Sequence, residues 1–222
     1  MPRAYPILKR TVDLLAAVLA ILVFLPLWIL IAIAIKLLSP GPVLYKPIRV
    51  GKDGRPFTLL KFRTMRVDSG AIRLTTLRGD PRVFPFGAFL RKTKLDETPQ
   101  LLNILAGQMS VVGPRPEDKV NADALYVGPY SRILSVKPGL SSPASLYDYT
   151  HGETYPSEEL YLRDFEPQKL AVELYYVDHQ SFLYDIQIIL RTIATITLIA
   201  FGRRSFNPPR ELALSGRQMP ES

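Results

Sequence analysis

Two adjacent carboxylates, Asp96 and Glu97, stand inside a basic stretch at residues 91–116, R-K-T-K-L-D-E-T-P-Q-L-L-N-I-L-A-G-Q-M-S-V-V-G-P-R-P. Arg91, Lys92 and Lys94 precede the pair and Arg115 follows it. Leu101, Leu102, Ile104 and Leu105 recur at helical spacing, and Gly107 is a natural stop. The spacing predicts a short helix with Asp96 as N-cap and Pro99 in the first turn, where a missing N–H has no intrahelical partner to lose. A helix N-terminus gathers phosphate through free N–H groups and the macrodipole, and it keeps a nearby carboxylate ionised. Arg115 lies between Pro114 and Pro116, whose rings restrict the backbone and let the planar guanidinium be aimed at little entropic cost. The residues alone allow two readings: phosphoryl chemistry at the acid pair, or a capped helix with a solvated basic face.

The elements that must position these groups are legible on either side. Residues 43–65 read as two strands around an Asp53-Gly54 turn. In the second strand Lys61 and Arg63 share a face by period two, and two cations on one face need an anion or a structural partner between them. Residues 14–35 are apolar apart from Pro26, a run long enough to cross a bilayer core. Arg3, Lys9 and Arg10 lie before it and Lys36, Lys46 and Arg49 after it, so the positive-inside rule assigns both ends to the cytoplasm. A break at Pro26 satisfies both flanks; a single-pass anchor with a tolerated proline is the other reading. Arg10 and Asp13 are spaced to pair on a helix surface.

Further along, residues 68–82 are polar, interrupted by Gly70, Gly79 and Pro81, and read as a loop able to gate the site. Phe84, Phe86, Phe89 and Leu90 form either a headgroup-level surface or buried core. Residues 117–126 and 167–179 read as helices, and residues 186–201 as a helix lying on a bilayer or on the domain without crossing. His151, between Asp148 and Glu153, reads as a surface residue in a loop, not a metal ligand, and the tail from Arg203 reads as poorly ordered.

Composition narrows the partners without choosing among them. The 222 residues hold one domain plus an anchor, and the net charge of +8 favours anionic partners. Zero cysteines exclude disulfides and thiolate chemistry, and 20 prolines predict a fold of many turns.

The pattern L-D-E-T-P-Q-L-x-N-x-L-x-G-x-M-S-V-V-G-P-R-P resembles the core signature of the bacterial sugar transferases, the monotopic phosphoglycosyl transferases. The similarity extends to K-R-x-x-D at residues 9–13, to R-x-G-x-x-G-x-x-F-x-x-x-K-F-R-T-M at 49–65, to K-P-G at 137–139 and to the segment around Asp185. It covers residues 7–140 well and the remainder loosely. Two departures stand out: Leu25 precedes Pro26 where the family often has serine, and residues 141–153, S-S-P-A-S-L-Y-D-Y-T-H-G-E, replace a glycine- and glutamine-containing loop.

The resemblance implies an α+β fold: a membrane-embedded helix-break-helix at residues 1–40, a cytosolic catalytic domain of short helices and a β-hairpin at 41–185, and an interfacial helix with a flexible tail at 186–222. It implies transfer of a phospho-sugar from a nucleoside diphosphate sugar, here UDP-sugar, to polyprenyl phosphate on the cytoplasmic side of the bacterial inner membrane. Asp96 would be the nucleophile, forming a covalent aspartyl-phosphosugar, with Glu97 as its partner. Both would meet Mg²⁺ or Mn²⁺, and Arg115, Arg91, Lys61 and Arg63, with Pro114 and Pro116, would bind phosphate or nucleotide. Nucleic acid is not an expected partner, and a homodimer stays open. Rival readings are direct transfer with Asp96 as base, a silent membrane scaffold, and a basic nucleic-acid binder that leaves the apolar run unexplained.

Overall fold

A computed structural model of the chain describes residues 4–67, 80–152 and 155–216. The expected gating loop lies outside the described residues from 68 to 79. The architecture is helix-rich with small two-stranded sheets, which agrees with the α+β class.

Helix α1 (Ala4–Leu38) carries the apolar run and continues through Pro26 as one helix of 35 residues, about 52 Å long. The expected separation into two helices at Pro26 is not seen at the level of secondary structure. A proline withdraws one backbone donor, and the packing on either side of Pro26 holds the flanking turns. On one side, Ala17, Ala20, Ile21 and Phe24 pack against Phe57, Leu59, Leu101 and Ile104. Beyond Pro26, Leu27, Ile31 and Ile35 pack against Phe62, Phe84 and Leu90. The opposite face leaves Leu15, Leu19, Leu22, Val23, Ile29 and Leu30 exposed.

Both ends of α1 are fastened to the same body. Lys9 Nζ lies 2.7 Å from Asp185 Oδ2, and the carbonyl of Ser39 accepts from Arg63 Nη2 at 2.7 Å. Arg10 and Asp13 do not pair with each other as their spacing allowed. Arg10 donates to the carbonyls of Ile104 and Leu105, while Asp13 accepts the N–H of Val111 at 3.0 Å. Terminal helix carbonyls lack intrahelical donors, so a guanidinium there satisfies more than a surface ion pair would.

The predicted hairpin forms in two pieces. β1 (Leu44–Tyr45) and β2 (Ile48–Val50) lead to a turn with Asp53 and Gly54 at φ 57° and 73°, and β3 (Pro56–Thr58) and β4 (Lys61–Phe62) return. Arg49 faces Phe57 in the β2–β3 pair and Tyr45 faces Lys61 in the β1–β4 pair. The ladder parts at Leu59 and Leu60, where Asn103 inserts: its amide donates to Thr58 O and accepts the N–H of Leu60.

After α2 (Pro85–Thr93) and α3 (Gln100–Leu105), β5 (Ser110–Val112) pairs in parallel with β6 (Gly139–Ser141), with α4 (Lys119–Leu125) between them. α5 (Pro143–His151) follows. α6 (Glu158–Leu160) then runs through a π-helical turn at Tyr161–Phe165 into α7 (Glu166–His179). α8 (Phe182–Ala200) buries Tyr184 and Ile188 against Val112, Tyr176 and Val177, and exposes Leu183, Leu190 and Ile193. α1 from Tyr5 and α8 are both long and apolar enough to cross a membrane. The tail departs from expectation. α9 (Arg210–Ser215) is ordered because Glu211, fully buried, takes an ion pair from Arg191 and a hydrogen bond from Tyr184.

Candidate active site

The acid pair does not cap a helix. Lys94 ends α2 in the left-handed region at φ 57°, and the next three residues, Leu95–Glu97, form a 3-10 turn before α3 starts behind Pro99. That reversal turns both carboxylates inward, and Asp96 and Glu97 are 2% and 5% exposed. The turn is tied to α1 through Trp28, whose indole donates to Thr98 Oγ1 at 2.8 Å. A helix with a membrane-compatible face therefore touches the residue next to the acids.

Lys61 reaches the pair from β4, with Nζ 3.3 Å from Asp96 Oδ2 and 3.1 Å from Glu97 Oε1. Arg115 reaches it from the turn after β5, with Nη2 3.3 Å from the same Glu97 oxygen. That turn lies close against the loop before β6: a Cβ on Gly139 would collide with the backbone of Gly113, and one on Gly113 with the carbonyl of Lys137. Pro114 and Pro116 are buried on either side, and the N–H of Arg115 donates to Glu173 Oε1 at 2.9 Å. Glu173 was not singled out in sequence, where its helix reads as amphipathic with polar residues outward.

Burial pushes the Glu97 carboxyl up, but Lys61, Arg115 and Lys94 outweigh it and hold the group well below the usual carboxylate range. Glu97 in turn raises Arg115 well above its ordinary value. Burial lowers Lys94, against the pull of Glu97. Three basic side chains thus converge on two carboxylates, a cluster able to receive an anion. Within it, Asp96 Oδ1 is buried without a hydrogen-bond partner. A buried carboxyl oxygen left unsatisfied is costly, and such an atom is a candidate for a reacting or ligating role.

The other expected residues divide. Arg63 is 5% exposed and points away from the acids, donating to Ser39 Oγ, Ser39 O and Pro42 O. Of the two roles open to it, phosphate binding or structural charge, these hydrogen bonds favour the second: the negative C-terminal end of α1 draws the guanidinium, and the strand's period ends at Phe62. Arg91 is half-buried on α2 and makes no ion pair to either carboxylate. His151 accepts or donates at Thr150 Oγ1 and packs on Tyr147 at 4.9 Å between ring centroids, with no group of three or more metal-binding side chains among the described residues. A divalent ion would therefore depend on few protein oxygens. Asp96 Oδ1 fits that demand, whereas both Glu97 oxygens already accept hydrogen bonds.

Tyr149 was missed. Its hydroxyl donates to Glu97 Oε2 at 3.0 Å, and Lys94 Nζ sits 3.5 Å from its ring centroid. It belongs to α5, formed where residues 141–153 read as a divergent loop. The signal was present: Ser142 caps the helix by accepting the N–H of Ser145 at 2.8 Å, with Pro143 at the first helical position. A cavity of ≈ 630 Å³ lies along other residues of α5, between Leu146, Tyr147 and Thr150 and the α8–α9 region, and none of the acid cluster lines it.

A buried aspartate with a free oxygen stands among lysine and arginine, on a turn tied to the apolar helix α1. The family model described as bacterial sugar transferase matches residues 4–198. The chain is 38% identical over 201 residues to a UDP-glucose:undecaprenyl-phosphate glucose-1-phosphate transferase of Caulobacter vibrioides, covering 88% of this chain and 72% of the relative. It is 38% identical over 205 residues to a UDP-N-acetylgalactosamine-undecaprenyl-phosphate N-acetylgalactosaminephosphotransferase of Aeromonas hydrophila, covering 90% of this chain and 46% of that one. It is 37% identical to an exopolysaccharide production protein of Rhizobium leguminosarum bv. phaseoli over 85% of this chain and 94% of the other. The chain belongs to the bacterial sugar transferase family and is a sugar-phosphate transferase.

Proposed function

We propose that the protein transfers a sugar-1-phosphate from a UDP-sugar to polyprenyl phosphate at the cytoplasmic face of the inner membrane, through a covalent aspartyl-phosphosugar. The observation that carries the reading is the unpartnered oxygen of Asp96 inside a ring of cations. The relatives whose names specify substrates use UDP-sugars and undecaprenyl phosphate, which supports this donor and acceptor class.

Lys61 and Arg115 lie over the carboxylates, with side chains 19% and 31% exposed. The donor diphosphate replaces the carboxylates as their partner, which uncovers Asp96. Asp96 Oδ1 then attacks the sugar-proximal phosphorus; the new O–P bond forms as the bond to the bridging oxygen breaks, and UMP leaves. An oxygen of the lipid phosphate attacks the same phosphorus in line, releasing Asp96 and yielding the polyprenyl diphosphate sugar. Mg²⁺ or Mn²⁺, when bound near Asp96 Oδ1, supplies charge neutralisation between carboxylate and diphosphate. Glu97 stays in place as the fixed countercharge that returns Lys61 and Arg115 after each cycle.

Placement at one leaflet rests on α1. Its two ends are held to the same domain by Asp185 and Arg63, and its outward face is apolar between them. On this reading a helix with both ends on one body enters and leaves on the same side, and an acid turn tied to Trp28 lies where donor and lipid headgroup meet.

Purified enzyme given UDP-glucose without lipid acceptor should release UMP in a burst stoichiometric with enzyme, and turn over only when polyprenyl phosphate is added. Absence of release from a panel of nucleotide sugars with lipid and magnesium present would overturn the reading.

A further inference from the structure

The segment at which the sequence departs from the family pattern delivers a hydroxyl directly to the acid pair. Tyr149, on α5, donates to Glu97 Oε2 at 3.0 Å, while Glu97 Oε1 takes Lys61 at 3.1 Å and Arg115 at 3.3 Å. Arg115 Nη1 also stands 3.5 Å from the Tyr149 oxygen, and the Lys94 ammonium lies on the tyrosine ring. One side chain thus contacts Glu97 and two of the cations around it.

We propose that Tyr149 is a positioning residue for phosphoryl transfer, holding Glu97 in place while the donor diphosphate draws Lys61 and Arg115 away from it. The inference rests on the acid-pair reading above. When phosphate oxygens take over the two cations, Glu97 Oε1 loses its partners in a buried site, and a buried carboxylate without donors is costly to hold in place. A phenol does not follow the phosphate: it is uncharged, fixed to α5 and directed at the other oxygen. Burial first, and then Glu97, pushes the Tyr149 hydroxyl well above its ordinary value, so it remains a donor throughout the working pH range. Tyr149 thereby keeps Glu97 in register for the return of the cations.

The groups facing Glu97 are Lys61 from β4, Lys94 and Asp96 from the turn after α2, Arg115 from the turn after β5, and Tyr149 from α5. Of these, Tyr149 alone can be altered at one atom without changing the charge. Tyr149→Phe keeps the ring under Lys94 and the packing of α5, and removes only the donor.

The test uses the full chain in nanodiscs, with UDP-glucose and UDP-N-acetylgalactosamine as probes and UMP release as the readout. Tyr149→Phe should lower kcat on the order of 10-fold, the worth of one hydrogen bond to a charged group. KM for the donor should be unchanged, so that the loss falls on kcat alone. Wild-type kcat, or an effect that falls on the donor KM instead of kcat, would overturn the proposal. Asp96→Asn in parallel separates the two levels. Activity abolished in Asp96→Asn but untouched in Tyr149→Phe rejects the tyrosine alone, and full activity in Asp96→Asn rejects the acid-pair reading together with it.

Discussion

Lys61 Nζ stands 3.3 Å from Asp96 Oδ2 and 3.1 Å from Glu97 Oε1, so one ammonium bridges the two adjacent carboxylates. Lys61→Met leaves two buried carboxylates with one bridging charge fewer, and breaking a buried ion pair costs about 3–5 kcal/mol. The variant should lose most donor turnover and should melt at a lower temperature, and Glu97 should titrate at higher pH once the Lys61 charge that lowers it is gone. Thermal denaturation across pH, beside UMP release, checks this.

Arg63 makes the opposite prediction from its neighbour two residues away. It holds the C-terminal end of α1 through Ser39 and Pro42. Arg63→Leu should lower stability by about 2–4 kcal/mol, from lost charged hydrogen bonds and unsatisfied carbonyls. The kcat per folded enzyme should stay near wild type. A specific loss of donor affinity in the folded fraction would return Arg63 to the substrate site.

These two residues mark how far the sequence could be read. Lys61 and Arg63 look equivalent by strand periodicity, yet the ladder parts at Leu59 and Leu60 around Asn103, and the chain leaves the strand after Phe62. Only the fold reveals that the end of α1 is waiting there. The apolar run, the Asp53-Gly54 turn, the Gly107 stop and the acid pair were legible because local periodicity and turn chemistry decide them. The start of α3 was not, because a left-handed lysine is invisible to propensity. Helix α5 could have been found from Ser142 and Pro143. The buried charges of α7 could not, because Glu166, Lys169 and Glu173 are buried by tertiary contacts alone.

Glu173 predicts a pH effect on stability. Burial raises its carboxyl from 4.5 to about 7, against hydrogen bonds from the N–H of Arg115 and from Ser142. Because the folded value lies above the unfolded one, the folded state holds the extra proton between them. The contribution is fully present below pH 4.5 and is lost as pH rises through about 7. The shift corresponds to about 3 kcal/mol. Glu166, also raised by burial, acts with the same sign, so the difference between wild type and Glu173→Gln isolates one group. Denaturant midpoints at pH 5 and pH 8 should fall further apart in the wild type than in Glu173→Gln.

Chelation supplies a prediction about the free oxygen of Asp96. Metal removal by EDTA should abolish UMP release, and Mg²⁺ or Mn²⁺ should restore it, because a divalent ion held by Asp96 and the substrate phosphates would offset the charge between carboxylate and diphosphate. Undiminished turnover after exhaustive chelation would leave charge neutralisation to Lys61 and Arg115 alone.

The most direct measurement is capture of the donor's phospho-sugar on the protein. Wild type incubated with UDP-sugar labelled in both the sugar and the sugar-proximal phosphate, without lipid, should acquire one label per chain on the peptide containing Asp96. Polyprenyl phosphate should remove the label, and Asp96→Asn should acquire none. Label on another residue, or rapid lipid-dependent transfer with the Asp96 peptide unmodified at every time point, would contradict nucleophilic attack by Asp96.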